Sequence, residues 1–435
     1  MSAGEMVLVR LRGQPGGDEL AELAREPDEE EAALVGGAVR DLLLGREPKE
    51  LDVVVSGDAE RFARALAGAL QRPGSESPVL TLHDRFGTAV VEWPAGRIDV
   101  ARRRAESYPI PGALPQVRPG SPTEDLERRD FTVNALTVPL AGPREGELLQ
   151  AEHGSEDLHG GLLRVLHDRS FIEDPTRLLR LGRYRARLGF EVEPHTAKLA
   201  SEALAGGALQ TVSGARLGAE LRLALQEPDP LRALHSLAEL GVLSALGLDG
   251  EVEGELARRA LSLLPQDGSP PELMLALLVL AATGAAGAAE GVGAAQGDPR
   301  ESLRELLDRL EFTGGERDRA LRAALGAQAL AERMAHAQRR SQLRDALAEQ
   351  PPEAVALAGA IGATGAATAE QARLWFDELR HVSLAITGDD LLAAGLAPGP
   401  QIGMRLKAAL ACKLDGELPE DGAGAELKVA LEATP

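Results

Sequence analysis

Residues 34–55 read LVGGAVRDLLLGREPKELDVVV, and this stretch decides the fold. Gly36 and Gly37 make a turn that opens a helix over 41–44. Residues 52–55 form a mostly β-branched run that predicts a buried strand. Glu50 and Asp52 stand two apart, so on a strand their side chains share one face. A glycine turn exposes backbone N–H groups that suit phosphate oxygens, and paired carboxylates suit Mg2+. Together they predict a site that holds a divalent cation and a nucleoside triphosphate, hence metal-assisted nucleotidyl transfer.

Outward from this stretch, residues 1–29 are polar and glycine-containing and are expected to be a flexible segment. Residues 59–70 have helical spacing. Residues 79–82, 88–92 and 98–101 read as strands, with FGT and WPAG turns between them. Residues 30–145 therefore form a small mixed α/β domain. From about residue 142 the chain reads as almost wholly helical, best over 175–188, 215–225, 230–246, 271–282 and 300–349. The segments 146–226, 227–350 and 351–435 are expected as successive helical modules, the last ending in an acidic tail. Residues 281–298, rich in Ala and Gly, read as a flexible loop. The expected class is α+β.

At 435 residues the chain is long enough for two to four domains. Its net charge of −21 opposes nucleic-acid binding by overall attraction, but arginines cluster locally. RIDVARRR at 97–104 holds four Arg against one Asp, and 160–187 holds seven Arg against three acids. An acidic protein with one basic face can still bind RNA, with steep salt dependence. No apolar run reaches the ~18 residues of a membrane span, and no signal-peptide pattern is read at the N-terminus. The single cysteine, Cys412, excludes an internal disulfide framework and points to a reducing cytoplasm. No P-loop or H-E-x-x-H pattern occurs. The His83-Asp84 and His167-Asp168 pairs read as structural.

Four further blocks carry chemistry. Asp99, in the strand-like run 98–101, is a third carboxylate that can join Glu50 and Asp52. Two divalent ions about 3.5–4 Å apart are what nucleotidyl transfer needs, and three converging acids call for such charge. Arg128-Arg129-Asp130-Phe131-Thr132-Val133-Asn134-Ala135 offers arginine forks for phosphate and polar groups for ribose hydroxyls. Glu173-Asp174-Pro175-Thr176-Arg177 starts a helix, with Asp174 as cap and Arg177 three residues on over the same face. Arg216 and Glu220 stand four apart on another helix, as an i,i+4 pair. Residues 386–410, ITGDDLLAAGLAPGPQIGMRLKAAL, place a Pro-Gly-Pro turn at a helix start, where free N–H groups suit phosphate.

These blocks resemble the class II tRNA nucleotidyltransferases and bacterial poly(A) polymerases of the polymerase β superfamily. The family pattern G-G-x-V-R-D-x-L-L-G is matched by Gly36, Gly37, Val39, Arg40, Asp41, Leu43, Leu44 and Gly45, and its D-x-D by Glu50 and Asp52. Glu replaces the usual first Asp, which leaves a silenced, non-catalytic RNA-binding relative as the alternative of another class. The resemblance spans about residues 34–418. It implies a nucleotidyltransferase head over 30–145, then helical neck, body and tail. It assigns Glu50 and Asp52 to Mg2+, with Asp99 beside them in catalysis. It assigns Gly36, Gly37, Arg40, Arg128, Asp130, Asn134, Asp174, Arg177 and Arg180 to the nucleotide. In the family the Asp and Arg matched by Asp174 and Arg177 read the base edge. Cytosine and adenine pair an exocyclic amino group with a ring nitrogen and so suit that donor-acceptor set. Uracil and guanine would leave unpaired polar groups, at about 1–3 kcal/mol each. Arg183, Arg187, Gly399 and Gly403 fall where the family contacts RNA. The implied activity is addition of C, A or both to the 3′ end of tRNA from CTP and ATP, with the acceptor and elbow as RNA partners and no membrane. Phrases such as PGALPQV are closer to the A-adding branch, and poly(A) addition is the alternative within the class.

Overall fold

The computed structural model describes residues 1–26, 31–74, 76–83, 87–289, 298–361, 366–418 and 422–433. The chain divides into two units, one of residues 1–220 with 239–245 and one of 221–238 with 246–435.

The first unit is built on a sheet of seven strands. These are β1 (Ala32–Val35), β2 (Leu51–Val55), β3 (Val79–His83), β4 (Thr88–Trp93), β5 (Gly96–Arg102), β8 (Leu136–Pro139) and β9 (Leu149–Gln150). Between β5 and β8, the strands β6 (Arg104–Ser107) and β7 (Gln116–Pro119) pair as a separate hairpin. The sheet order is β3-β4-β5-β2-β1-β8-β9, and only β2 and β5 run parallel within it. Alternation does the sorting. Leu51, Val53, Val55, Ile98 and Val100 are buried on one face, and helix α4 (Ala59–Leu70) lies against β3, β4 and β5 with Phe62 and Leu66 fully buried. The other face carries Asp52 and Asp99, which the parallel register sets directly opposite each other.

Residues 1–29 are not the flexible segment that their composition suggests. Helices α1 (Ala3–Arg12) and α2 (Gly17–Leu23) occupy most of them, and residues 27–30 lie outside the described residues. Ser2 and Glu5 form a capping box, a readable Ser-x-x-Glu signal, and Val7, Leu11 and Leu20 are completely buried. Arg10 Nη1 donates to the carbonyl of Leu42 at 2.5 Å and of Leu43 at 3.3 Å. The N-terminal helices thereby cap the C-terminal end of α3 (Gly36–Leu43), the helix that opens at the Gly-Gly turn. The unit continues through α5 (Pro122–Glu127), α6 (Gly154–Gly160), α7 (Ser170–Glu173), α8 (Thr176–Leu188) and α9 (Pro194–Ala205). It passes into α10 (Gly214–Leu225).

Among its described residues the second unit has helices and no strand, with helices such as Pro270–Ala289, Gly314–His336, Pro352–Ile361 and Pro400–Leu414. The expected flexible loop is helical up to Ala289, and its residues 290–297 lie outside the described residues. Alanine favours helix strongly enough to carry the Ala-Gly run on from an apolar helix. The helix expected over 230–246 is two helices, Pro230–Glu239 and Val242–Leu246, split at Gly241 with φ of 77°. Buried Glu426 accepts from the backbone N–H groups of Ala385 and Ile386 and from Lys413 Nζ, which ties the last helix to the small apolar cluster around Leu391 and Ala409.

Two glycines test the N-terminal packing. A Cβ on Gly17 would lie 1.8 Å from the Leu11 carbonyl oxygen, whereas one on Gly68, inside α4, meets nothing within 4 Å. Gly17→Ala is expected to cost roughly 2 kcal/mol or more. Gly68→Ala is expected to gain about 0.5–1 kcal/mol. Urea unfolding of both variants measures the contrast, and equal midpoints would contradict it.

Candidate nucleotide-binding and catalytic site

The first unit holds a cavity of about 580 Å3, room enough for a nucleoside triphosphate. Gly36, Gly37, Asp52, Asp99, Arg128, Asp130, Asn134, Asp174, Arg177 and Arg180 all line it. The sequence-predicted residues therefore come together from α3, β2, β5, the 128–135 turn and α8. Arg40 is buried behind this wall. Glu50 is not among the lining residues, and Gly399 and Gly403 belong to the second unit.

The Gly-Gly turn is steric in origin. Gly36 has φ of 67°, and a Cβ there would lie 2.7 Å from Arg129 Nη1. Helix α3 starts at that point with no side chain hydrogen-bonded to its first turn. Its leading N–H groups and the positive end of its dipole are thus left for an anion.

Three acids share the neighbouring electrostatics. Burial, with the negative charges of Glu50 and Asp99, pushes the Asp52 carboxyl up to about 7 against the opposing charges of Arg129 and Arg40. No donor among the described residues hydrogen-bonds Asp52. Asp99 is held by Arg97, whose Nε and Nη2 donate to its two oxygens at 2.7 and 2.9 Å. Glu50 lies just before β2 rather than within it, and pairs with Arg97 at 3.5 Å. The expected convergence of three carboxylates is therefore incomplete, and no group of three metal-ligating side chains is gathered among the described residues. The donor chemistry still fits a hard divalent cation. These are carboxylate oxygens, and Asp52 is a carboxylate whose like-charged neighbours disfavour its ionisation until positive charge arrives.

The 128–135 turn is held by a chain of ionic hydrogen bonds. Asp130 Oδ2 accepts from Arg180 Nε at 2.8 Å and Nη2 at 2.6 Å. Its Oδ1 accepts from Asn134 Nδ2 at 3.0 Å and from the Phe131 N–H at 2.8 Å. Asn134 Oδ1 in turn accepts from Arg40 Nη1 at 2.5 Å. Asp130 and Asn134, expected to bond ribose, thus bond each other and two arginines. Arg128 and Arg129 both donate to buried Asp125, and Arg128 also to Glu106. Arg129 keeps a buried Nε without a partner beside the cavity. It was read from sequence within the 128–135 block but not assigned to the nucleotide.

Asp174 and Arg177 do not pair with each other. Asp174 Oδ1 accepts from the Thr176 hydroxyl at 2.6 Å and from Arg216 Nη2 at 2.7 Å, and no donor among the described residues reaches Oδ2. Arg177 donates to Ser170 Oγ at 2.6 Å and to the Arg128 carbonyl at 2.8 Å. Arg216 and Glu220, expected as an i,i+4 pair, go separate ways. Arg216 takes Asp174 and the Gly112 carbonyl, while Glu220 takes Arg180 and Arg183. Arg183, expected to contact RNA, is 5% exposed because it pairs with Glu220 and lies over Tyr184. Arg187 is exposed and flanks the same ring. Tyr184 escaped the sequence reading. Arg40, Arg180, Arg183 and Arg187 all stand 5.5–5.9 Å from its centroid, and its edge meets Phe131. A single aromatic in an arginine-rich helix was its signal.

The Asp130 network sets an acid limit. Burial alone would raise the Asp130 carboxyl, but Arg180 and the Asn134 hydrogen bond hold it down to about 2. A depressed carboxylate contributes stability above its unfolded value, and that contribution is lost as pH falls through its folded value. Here it amounts to about 2 kcal/mol. Asp130→Asn is expected to destabilise by roughly 3 kcal/mol near neutrality, with Arg180 left only its longer ion pair to Glu220. The gap to the unaltered protein should narrow between about pH 4 and about pH 2. Urea unfolding at stepped pH reads this directly, and a gap independent of pH would contradict it.

Known proteins share this architecture. A family model described as the poly A polymerase head domain matches residues 32–164. The A-adding tRNA nucleotidyltransferase of Geobacter sulfurreducens is 34% identical over 407 residues, 92% of this chain and 45% of that protein. The CC-adding tRNA nucleotidyltransferase of Deinococcus radiodurans is 37% identical over 327 residues, 74% of this chain and 82% of that protein. The solved Thermotoga maritima CCA-adding enzyme complexed with tRNA is 26% identical with a TM-score of 0.70, over 98% of this chain and 97% of that one. The chain spans less than half the length of three of the curated relatives it matches, at 45%, 49% and 25%. Sequence, fold and site agree, and the chain belongs to the tRNA nucleotidyltransferase family built on the poly A polymerase head domain.

Proposed function

We propose that this chain adds C, A or both to the 3′ end of tRNA, without a template, from CTP and ATP and with release of pyrophosphate. The observation that carries this reading is the single cavity that gathers Asp52, Asp99, the Gly-Gly helix start, Arg128 and Arg129, and Asp174 with Arg177. The reading places the chain in the cytoplasm, where its substrates are.

Each residue has a chemical part in it. The N–H groups at the start of α3 and the guanidinium of Arg129 receive the triphosphate. Arg128 sits behind them, already balanced by Asp125 and Glu106. Asp52 and Asp99, aided by Glu50, hold Mg2+. When bound, that ion lowers the pKa of the attacking 3′-hydroxyl and neutralises the leaving pyrophosphate. Asp174 presents its open Oδ2 to an exocyclic amino group, which cytosine and adenine both carry. Arg177 fixes the wall opposite through the Arg128 carbonyl. Arg187, Gly399 and Gly403 contact RNA in this reading. Addition of A alone is a narrower version, favoured by the A-adding relative that covers 92% of this chain.

Purified protein with Mg2+ is offered tRNA ending at the discriminator base, at C and at CC, with each labelled nucleotide singly. Incorporation of C on the first two and A on the third is expected for full CCA addition. A alone on the CC end would mark the A-adding version, and long A tails would mark a poly(A) polymerase. Asp52→Asn is expected to slow incorporation roughly a hundredfold or more. Asp174→Ala is expected to lose preference for C and A over U and G while still unfolding cooperatively, at a lower midpoint for the lost Thr176 and Arg216 contacts. No incorporation by the natural protein, restored by Glu50→Asp, would identify a silenced relative and overturn the reading.

A further inference from the structure

Arg97 stands where positive charge is most needed on the polar face of the sheet. It lies on β5 two residues before Asp99, so both point to the same face, and the register places it opposite Glu92 of β4. Its Nε and Nη2 grip both oxygens of Asp99 at 2.7 and 2.9 Å. Its Nη1 reaches Glu92 at 3.3 Å, and its Nε lies 3.5 Å from Glu50. One guanidinium therefore engages three carboxylates, two of which the proposed reaction uses. Asp52, directly opposite Asp99, receives no hydrogen bond from any described residue.

We infer that Arg97 is a resident counter-cation that competes with the divalent ion for Asp99 and Glu50, and so sets the metal affinity of the site. This rests on the reading of Asp52 and Asp99 as metal ligands. An ion shared by the two aspartates needs an oxygen of Asp99, and each of those oxygens already accepts one arm of the arginine fork. The ion must therefore share that oxygen with the guanidinium, at a cost in like-charge repulsion, or displace one arm of the fork. Arg97 then keeps Glu92, which no role in the reaction claims, so the displaced guanidinium still has a counter-charge. The arrangement keeps Glu50 and Asp99 neutralised between turnovers at the cost of weaker metal binding. A positioning role would act in the opposite direction, because an arginine that only oriented Asp99 would strengthen metal binding by its presence.

The test is calorimetric titration of the full chain with MnCl2 in the absence of nucleotide and RNA. The unaltered protein is compared with Arg97→Gln, Arg97→Lys and Asp52→Asn. Arg97 is substantially exposed, and thermal unfolding without metal verifies that each variant is folded. Arg97→Gln is expected to lower the dissociation constant about tenfold, as removal of a nearby screened charge should. Arg97→Lys, which keeps the charge but loses the fork, is expected to fall between. An unchanged or raised dissociation constant for Arg97→Gln, with binding still lost in Asp52→Asn, would overturn the role of Arg97 alone. Binding that is indifferent to Asp52→Asn, or absent from every form, would overturn the metal site and the inference together.

Discussion

One buried carboxylate ties the walls of the cavity together. Asp130 accepts four hydrogen bonds, and their donors belong to the 128–135 turn itself and to α8. Through Asn134 the chain of contacts reaches Arg40 on α3, and through Arg180 it reaches Glu220 on α10. A buried ion pair is weak evidence for stability, because desolvation offsets the attraction. It is stronger evidence for register, since a misplaced Asp130 or Arg180 leaves a buried charge alone. Here the register is that of the cavity wall. The Gly-Gly helix, the arginine turn and the helix carrying Asp174's neighbours are placed relative to one another by this network rather than by apolar packing alone.

The opposite wall follows a contrary rule. Parallel pairing of β2 and β5 sets Asp52 beside Asp99, a like-charged pair that no sheet needs for stability. Burial and its acidic neighbours hold Asp52 near neutrality in protonation, while Asp99 is balanced by Arg97. One side of the cavity is thus saturated with internal partners and rigid. The other side sets three carboxylates against the one guanidinium of Arg97, with Asp52 beside them. A nucleotide bearing phosphates and a divalent cation complements both at once.

Much of this was legible in the sequence because the decisive signals are local. The glycine pair, the β-branched run at 52–55 and the amphipathic 59–70 segment each declare their element within a few residues. Strand β1 was less legible, since Ala32–Val35 is short and half alanine. The N-terminal helices hid behind a polar composition, and only the Ser2–Glu5 box betrayed them. Side-chain partners were the least legible. The pairing of Asp174 with Arg216, or of Arg97 with three acids, depends on tertiary approach across 42 residues in one case and on neighbouring strands in the other. Spacing along a helix suggested Arg216 with Glu220 and Asp174 with Arg177. In both cases a nearer tertiary partner won.

The route of the chain through the cavity has a consequence for synthesis on the ribosome. Domains fold from the N-terminus as they emerge. The sheet and the Gly-Gly helix are complete once residue 150 has been made, but Arg177, Arg180 and Arg216 follow much later. A nascent head of that length lacks Arg180, the arginine partner of Asp130, and lacks Asp174 and Arg216 themselves. On the proposed reading it presents carboxylates and the N–H groups for phosphate without the wall that would discriminate among bases. Base selectivity, on the same reading, thus follows the sheet in the order of synthesis, and a truncated product ending before α7 would keep the sheet while lacking Asp174 and Arg177.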